Sequence, residues 1–138
     1  MARGNRDCHH DTTHAQTKKP LKVRMRIHLW LEAEEGQIFG LGRAQLLARI
    51  AVHGSLKRAA EDLGMSYRAA WGKVKKTEDV IDARLIKRSG TRRDGYELTE
   101  FGRNLLDSFN IWFGEVEEIA LQKARTLFPW SIEKYGDE

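Results

Sequence analysis

From Lys22 onward apolar and polar residues alternate. Val23, Met25, Ile27, Leu29 and Leu31 fall on one side, with Arg24, Arg26, His28, Trp30 and Glu32 on the other. A period of two predicts a half-buried strand. Glu35-Gly36 supplies a turn and Ile38-Phe39 a short return strand, so the segment reads as a hairpin. Beyond Gly42 the period lengthens to that of a helix. Leu46, Leu47, Ile50 and Ala51 form an apolar stripe on a helix from Arg43 to about His53, which Gly54 ends as a C-terminal cap. Ser55 is suited to cap a short second helix, Leu56 to about Leu63, stopped by Gly64. Ser66 then caps a third helix that runs to about Val80. Leu85-Ile86-Lys87-Arg88 and Tyr96-Glu97-Leu98 are strand-like pieces around a loop holding Gly90, Asp94 and Gly95. Thr99 caps a last helix, with Glu100 in its first turn, and its periodicity persists to about Leu127. At ~1.5 Å per residue this helix extends roughly 43 Å, longer than one small domain requires.

The third helix has two unlike faces. Counted from Ser66 at ~100° per residue, Ala70, Val74, Thr77 and Ile81 fall between about 20° and 80°, with Tyr67 and Trp71 at the margin. Arg68, Gly72, Lys75 and Lys76 lie opposite, between about 180° and 280°. One face is therefore expected to pack on the domain while the other offers cations around a glycine. A glycine inside a helix costs about 1 kcal/mol relative to alanine. At this position it would let the helix backbone come close to the floor of a DNA major groove.

Charge sharpens this reading. The chain has 138 residues and a formal net charge of +4, but the charge is segregated. Residues 1–54 carry a balance of +4, residues 55–93 of +6 and residues 94–138 of −6. A basic middle beside an acidic end suggests one surface built for polyanions and another kept away from them.

Helix, tight glycine-containing turn, helix and basic hairpin is the succession of a winged helix-turn-helix. Ala59 and Ala60 fall where the two helices must approach closely, and Gly64 sits in the turn, where a positive φ suits glycine. The expected fold class is mainly α with small β hairpins: a winged helix-turn-helix followed by a long C-terminal dimerisation helix. The run Ser55-Leu56-Lys57-Arg58-Ala59-Ala60-Glu61-Asp62-Leu63-Gly64-Met65-Ser66 resembles the helix-turn-helix of LysR-type regulators. Its continuation, Ser66-Tyr67-Arg68-Ala69-Ala70-Trp71, is more similar to the N-terminal domain of the ModE family of molybdate-responsive regulators. Leu85-Ile86-Lys87-Arg88 and Leu98-Thr99-Glu100-Phe101-Gly102 resemble that family's wing and the start of its dimerisation helix. The likeness covers roughly residues 38–127. Two departures stand out: the wing is shorter and less glycine-rich than usual, and carries Arg92, Arg93 and Asp94. The sequence also has no room after its long helix for the oxyanion-binding domains that full-length members append, so the DNA-binding part alone is expected.

The resulting expectation is a cytoplasmic, homodimeric transcription regulator that binds duplex DNA, with the helix at about 66–80 in the major groove and the wing at about 85–98 beside it. Arg68, Ala69, Gly72 and Lys75 are expected to face the groove. Ser66, Tyr67, Lys57, Arg58 and Lys76 would hold phosphates, and Arg92 and Arg93 at the wing tip would reach the adjacent backbone or minor groove. On the last helix, Leu105, Phe109, Trp112, Val116 and Ile119 repeat with coiled-coil-like spacing. Leu106, Phe113, Ala120, Ala124 and Leu127 add an adjoining stripe. One stripe can cover the winged domain and leave the 105/109/112/116/119 seam for a partner copy, matching a palindromic site. A single wide stripe buried within one subunit is the alternative.

Other chemistry finds little support. Residues 1–21 are polar and read as a disordered tail, 22–98 as the winged domain, 99–128 as the dimerisation helix and 129–138 as a C-terminal tail. Cys8, His9, His10 and His14 are of types that hold soft metals, but a disordered segment gives them no fixed geometry, so neither a metal nor a cofactor is expected. One cysteine excludes an internal disulfide framework. There is no persuasive nucleophile–base–acid set and no phosphate-binding loop, so no catalytic residue is assigned. No apolar run approaches the ~18 residues that would span a bilayer. Trp30, Trp71, Trp112 and Trp130 are expected as core or interface anchors. The rival functions are a winged protein-interaction module that ignores DNA, and an oxyanion-responsive regulator with an unrecognised effector site.

Overall fold

A computed structural model of the chain describes Lys19 and residues 21–136. The histidine- and cysteine-containing stretch read as a disordered tail lies outside these, apart from Lys19 and Leu21. The described chain contains β1 (Val23–Met25), β2 (Trp30–Ala33), β3 (Gly36–Gly40), α1 (Leu41–His53), α2 (Leu56–Asp62), α3 (Tyr67–Ile81), β4 (Ile86–Arg88), β5 (Tyr96–Leu98), α4 (Glu100–Leu127) and β6 (Ile132–Lys134). Two compact units emerge: Ile27–Ala120, and the residues up to Arg26 together with Leu121–Glu138.

Within the larger unit, β2 and β3 form an antiparallel hairpin with a register shift between Leu31 and Glu32. The single strand expected from Lys22 to Glu32 is thus corrected. β1 ends at Met25 and pairs with β6, whereas β2 pairs with β3. Exposure still alternates from Val23 to Trp30. Alternation reports which face is covered; it does not report which backbone is at hand to accept the hydrogen bonds.

α1 starts at Leu41, two residues before the expected Arg43, and ends at His53, capped by Gly54. Ser55 caps α2, its Oγ accepting from the Arg58 backbone N–H at 3.1 Å. Ala59 and Ala60 are buried at 0% and 1% exposure, which lets α2 lie close to its neighbours. Gly64 has φ +68°, the left-handed geometry the turn requires and that glycine adopts without a Cβ penalty. Ser66 caps α3 by accepting from the Ala69 N–H at 3.0 Å. β4 and β5 pair antiparallel as the wing, with Ile86 opposite Leu98 and Arg88 opposite Tyr96.

Thr99 joins wing to α4. Its Oγ1 donates to the Arg84 carbonyl at 2.6 Å and accepts from the Gly102 N–H at 2.9 Å. Gly102 sits against the Leu85 carbonyl, and a Cβ there would collide with it. A buried carboxylate fixes the same corner: Glu78 Oε2 accepts from the N–H groups of Leu85 and Ile86 at 2.7 and 3.3 Å. Thr77, also buried, donates to the Ile38 carbonyl at 2.6 Å, tying α3 to β3. Hydrogen bonds of this kind make such polar burial tolerable.

The core gathers Phe39, Leu46, Leu47, Ile50, Leu56, Val74, Leu85 and Ile86, and α4 enters it through Leu106 and Phe109. Phe109 meets Phe39 edge-to-face at 5.6 Å. α4 is 28 residues long. In the smaller unit, β1 and β6 pair in parallel, Arg26 lies 3.7 Å over the Tyr135 ring, and Arg125 donates to the Ile132 carbonyl at 2.6 Å. Residues 129–138 thus include a strand, Ile132–Lys134, within a segment expected as a tail.

Candidate nucleic-acid interface

The outward face of α3 is the centre of the site. Ala70, Val74, Thr77 and Glu78 are the buried residues of the helix, so amphipathic spacing orients the rest. Ser66, Tyr67, Arg68, Ala69, Gly72, Lys75 and Lys76 are all exposed. A Cβ at Gly72 would meet nothing within 4 Å. Packing within the chain therefore does not demand the glycine.

The cations are not equivalent. Lys75 Nζ lies 3.4 Å from Asp79 Oδ1, one turn along the helix, and shares its charge with that carboxylate. Lys76 leans toward the β2–β3 turn, its Nζ 3.4 Å from where a Cβ on Gly36 would stand. Arg68 is exposed, and so are Lys57 and Arg58 on α2. Ser66 spends its acceptor on the N-cap, which leaves its O–H to donate.

The wing is fastened to the helix-turn-helix at several points. Ser55 Oγ donates to Asp94 Oδ2 at 2.5 Å, the Leu56 N–H donates to the Asp94 carbonyl at 3.2 Å, and the Tyr96 N–H donates to the Gly54 carbonyl at 3.1 Å. The Ser55 hydrogen bond, with a further one from the backbone, holds the Asp94 carboxyl below the usual aspartate range. Tyr67 neighbours Tyr96 across the helix–wing junction. Partial burial first, and that neighbour second, push its phenol up. Arg88 donates through Nη2 to the Arg92 carbonyl at 3.1 Å, and its guanidinium stands 5.4 Å from the Tyr96 ring centre. These contacts shape the tip on which Arg92 and Arg93 project, both exposed. Arg92 Nε is 4.0 Å from Asp94 Oδ1.

The structure therefore gathers Arg68, Ala69, Gly72 and Lys75 on one open face, with Tyr67 on the wing side and Lys76 on the hairpin side. Of the two places expected for Trp71, core or interface, the core is set aside: the residue is 40% exposed and stands outside the core. Ser55 and Asp94 as a staple were not foreseen. Ser55 carried a visible capping signal, but its second partner is 39 residues away and left none.

The seam proposed for a partner is divided in the same way. Phe109 is 3% exposed and belongs to the chain's own core, so it is corrected from interface to interior. Its place at the boundary of the two stripes allowed either. Leu105, Trp112 and Val116 are half-buried, Ile119 is 68% exposed, and Phe101 on the same side is 46% exposed. An apolar pocket of about 150 Å³ opens beside this stripe, lined by Leu31, Phe39, Leu105, Ser108, Phe109 and Trp112. Among the described residues there is no group of three His, Cys, Asp or Glu side chains that could hold a metal ion. Cys8, His9, His10 and His14 lie outside them. No helix among the described residues is long and apolar enough to cross a membrane.

Known proteins share this fold. The fold matches the DNA-binding domain in the crystal structure of the CbnR_DBD–DNA complex, at TM-score 0.50 and 21% identity over 62% of this chain and 93% of that one. The BenM_DBD/benA site 1 DNA complex gives TM-score 0.51 at 13% identity, over 62% and 95%. The DNA-binding transcriptional dual regulator ModE of Escherichia coli (strain K12) is 31% identical over 91 residues, 64% of this chain and 35% of that protein. The molybdenum-pterin-binding protein MopB of Rhodobacter capsulatus is 33% identical over 101 residues, 70% and 37%. The chain thus spans little more than a third of the length of these relatives. Residues 41–103 match the family of bacterial regulatory helix-turn-helix proteins, lysR family, and over its winged helix-turn-helix the chain is similar to ModE.

Proposed function

We propose that this protein is a sequence-specific duplex-DNA-binding transcription regulator that acts as a symmetric dimer. The observation that carries the reading is the open face of α3: cations around a glycine that the fold does not itself need, beside a wing held in place by Ser55 and Asp94. In this reading Arg68, Ala69, Gly72 and Lys75 face base edges in the major groove. Ser66, Tyr67, Lys57, Arg58 and Lys76 hold phosphates, and Arg92 and Arg93 reach the backbone flanking the groove. The names of the DNA-bound structural neighbours and of the ModE relatives support it.

The dimer forms through the stripe of α4 made of half-buried Leu105, Trp112 and Val116 and exposed Ile119, with Phe109 supporting it from within the core. A two-fold pair of recognition helices matches a palindromic operator. Such a protein acts in the cytoplasm, where it meets duplex DNA, and its role is binding without catalysis. Selection of duplexes from a random pool, followed by a salt titration on the enriched site, tests the reading. Affinity falling steeply with salt and an enriched palindrome are expected. A salt-independent interaction, or no enrichment, refutes it and leaves a protein-docking role for the winged fold.

A further inference from the structure

Trp71 is an exposed indole on the helix that carries the cations, at 40% exposure and outside the core that Ala70 and Val74 of the same helix help to build. At ~100° per residue it stands about 40° from Lys75 and about 60° from Arg68 around the helix, on the side of Tyr67. Tyr67, four residues earlier, is 42% exposed and neighbours Tyr96 of the wing. Two large aromatic rings therefore form a ridge along one flank of the cationic face.

A protein partner fits this ridge poorly, because Arg68 and Lys75 border it and keep the apolar patch to two rings. A polyanion fits it, because Arg68 and Lys75 stand beside the indole, where the reading above sets them against base edges, while Lys57 and Arg58 on α2 hold the phosphates. Within a major groove the base edges are hydrogen-bonding groups, with a single apolar exception, the 5-methyl of thymine. An indole carried into the groove on the flank of α3 removes its own apolar surface and that methyl from water together. We propose that Trp71 is a specificity-determining residue that reads a thymine through its 5-methyl group. This inference rests on the DNA-binding reading above and adds a base identity to it.

The probe is a duplex that wild-type protein has enriched from a random pool. Each thymine within the protected stretch is replaced in turn by deoxyuridine, which lacks only the methyl. Wild-type affinity is expected to fall about three- to fivefold at one such position, the worth of burying roughly one methyl. Trp71→Ala should bind the thymine duplex correspondingly less well and be indifferent to deoxyuridine at that position. Trp71→Phe, which keeps a ring and loses the indole N–H, should retain part of the discrimination and also covers the case of an alanine variant that folds poorly. Three results overturn the inference: wild-type protein indifferent to every thymine methyl, Trp71→Ala retaining full discrimination, or Trp71→Ala weakening both duplexes by one factor. The last is the signature of an indole N–H on a phosphate. Each of them leaves DNA binding standing. A wild-type protein that binds no duplex overturns the DNA-binding reading and this inference together.

Discussion

The Ser55 hydroxyl donates to Asp94 Oδ2 at 2.5 Å while accepting from the Arg58 N–H at 3.1 Å. One fully buried side chain thus both starts α2 and anchors the wing turn. Loss of an N-cap costs about 0.5–2 kcal/mol. Ser55→Ala is expected at or above the upper end of that range, because Asp94 loses its partner as well. Chemical denaturation measures it. A change below about 0.5 kcal/mol, within the ordinary scatter of surface substitutions, shows that the staple does not hold the wing.

The same contact sets a pH dependence. Asp94 and Asp62 both titrate below the ordinary aspartate range, Asp94 through Ser55 and Asp62 through His53, whose Nε2 lies 2.6 Å from its Oδ2. A depressed carboxylate contributes stability that is complete above the unfolded value of about 3.9 and is lost as pH falls from there through the folded value. Thermal midpoints of wild type should drop below pH 4, and Asp94→Asn should flatten that drop. Equal slopes for the two proteins count against the assignment.

Readout and phosphate contacts separate by mutation. Arg68→Ala should cost about 1–3 kcal/mol on the enriched site and relax preference at one base pair. Lys57→Ala should weaken all duplexes alike and lower the salt slope by about one unit. Unchanged preference in the Arg68 variant removes this arginine from the groove.

The wing tip is expected to act on DNA and not on the fold. Arg92 and Arg93 are exposed, and exposed charges rarely stabilise. Replacing both with alanine should lower affinity at low salt with a nearly unchanged melting temperature. Equal affinity would free the wing from DNA.

Assembly is probed best at Ile119, which is 68% exposed and therefore removable without harm to the core. Ile119→Glu would bury an unpaired charge in a dimer, at a cost of several kcal/mol. Separation into folded monomers should follow, with palindrome binding far weaker than that of wild type and half-site binding affected far less. Trp112 is a poorer probe, since it packs on Phe109 at 5.8 Å. Wild-type protein sedimenting as a monomer at micromolar concentration refutes the stripe.

The local signals were legible in the sequence itself: caps at Ser55, Ser66 and Thr99, the glycine at position 64, the helical stripe of α3 and the basic block that contains it. Each depends on a residue and its neighbours within a turn or two, where backbone sterics and amphipathic spacing decide. Tertiary structure alone decided which alternating residues pair with which strand, that Phe109 turns inward to Phe39, that Trp71 stays outside the core, and that Asp94 closes on Ser55. Those contacts join residues far apart in the chain. A periodic pattern marks a face as apolar, but only packing determines what covers it.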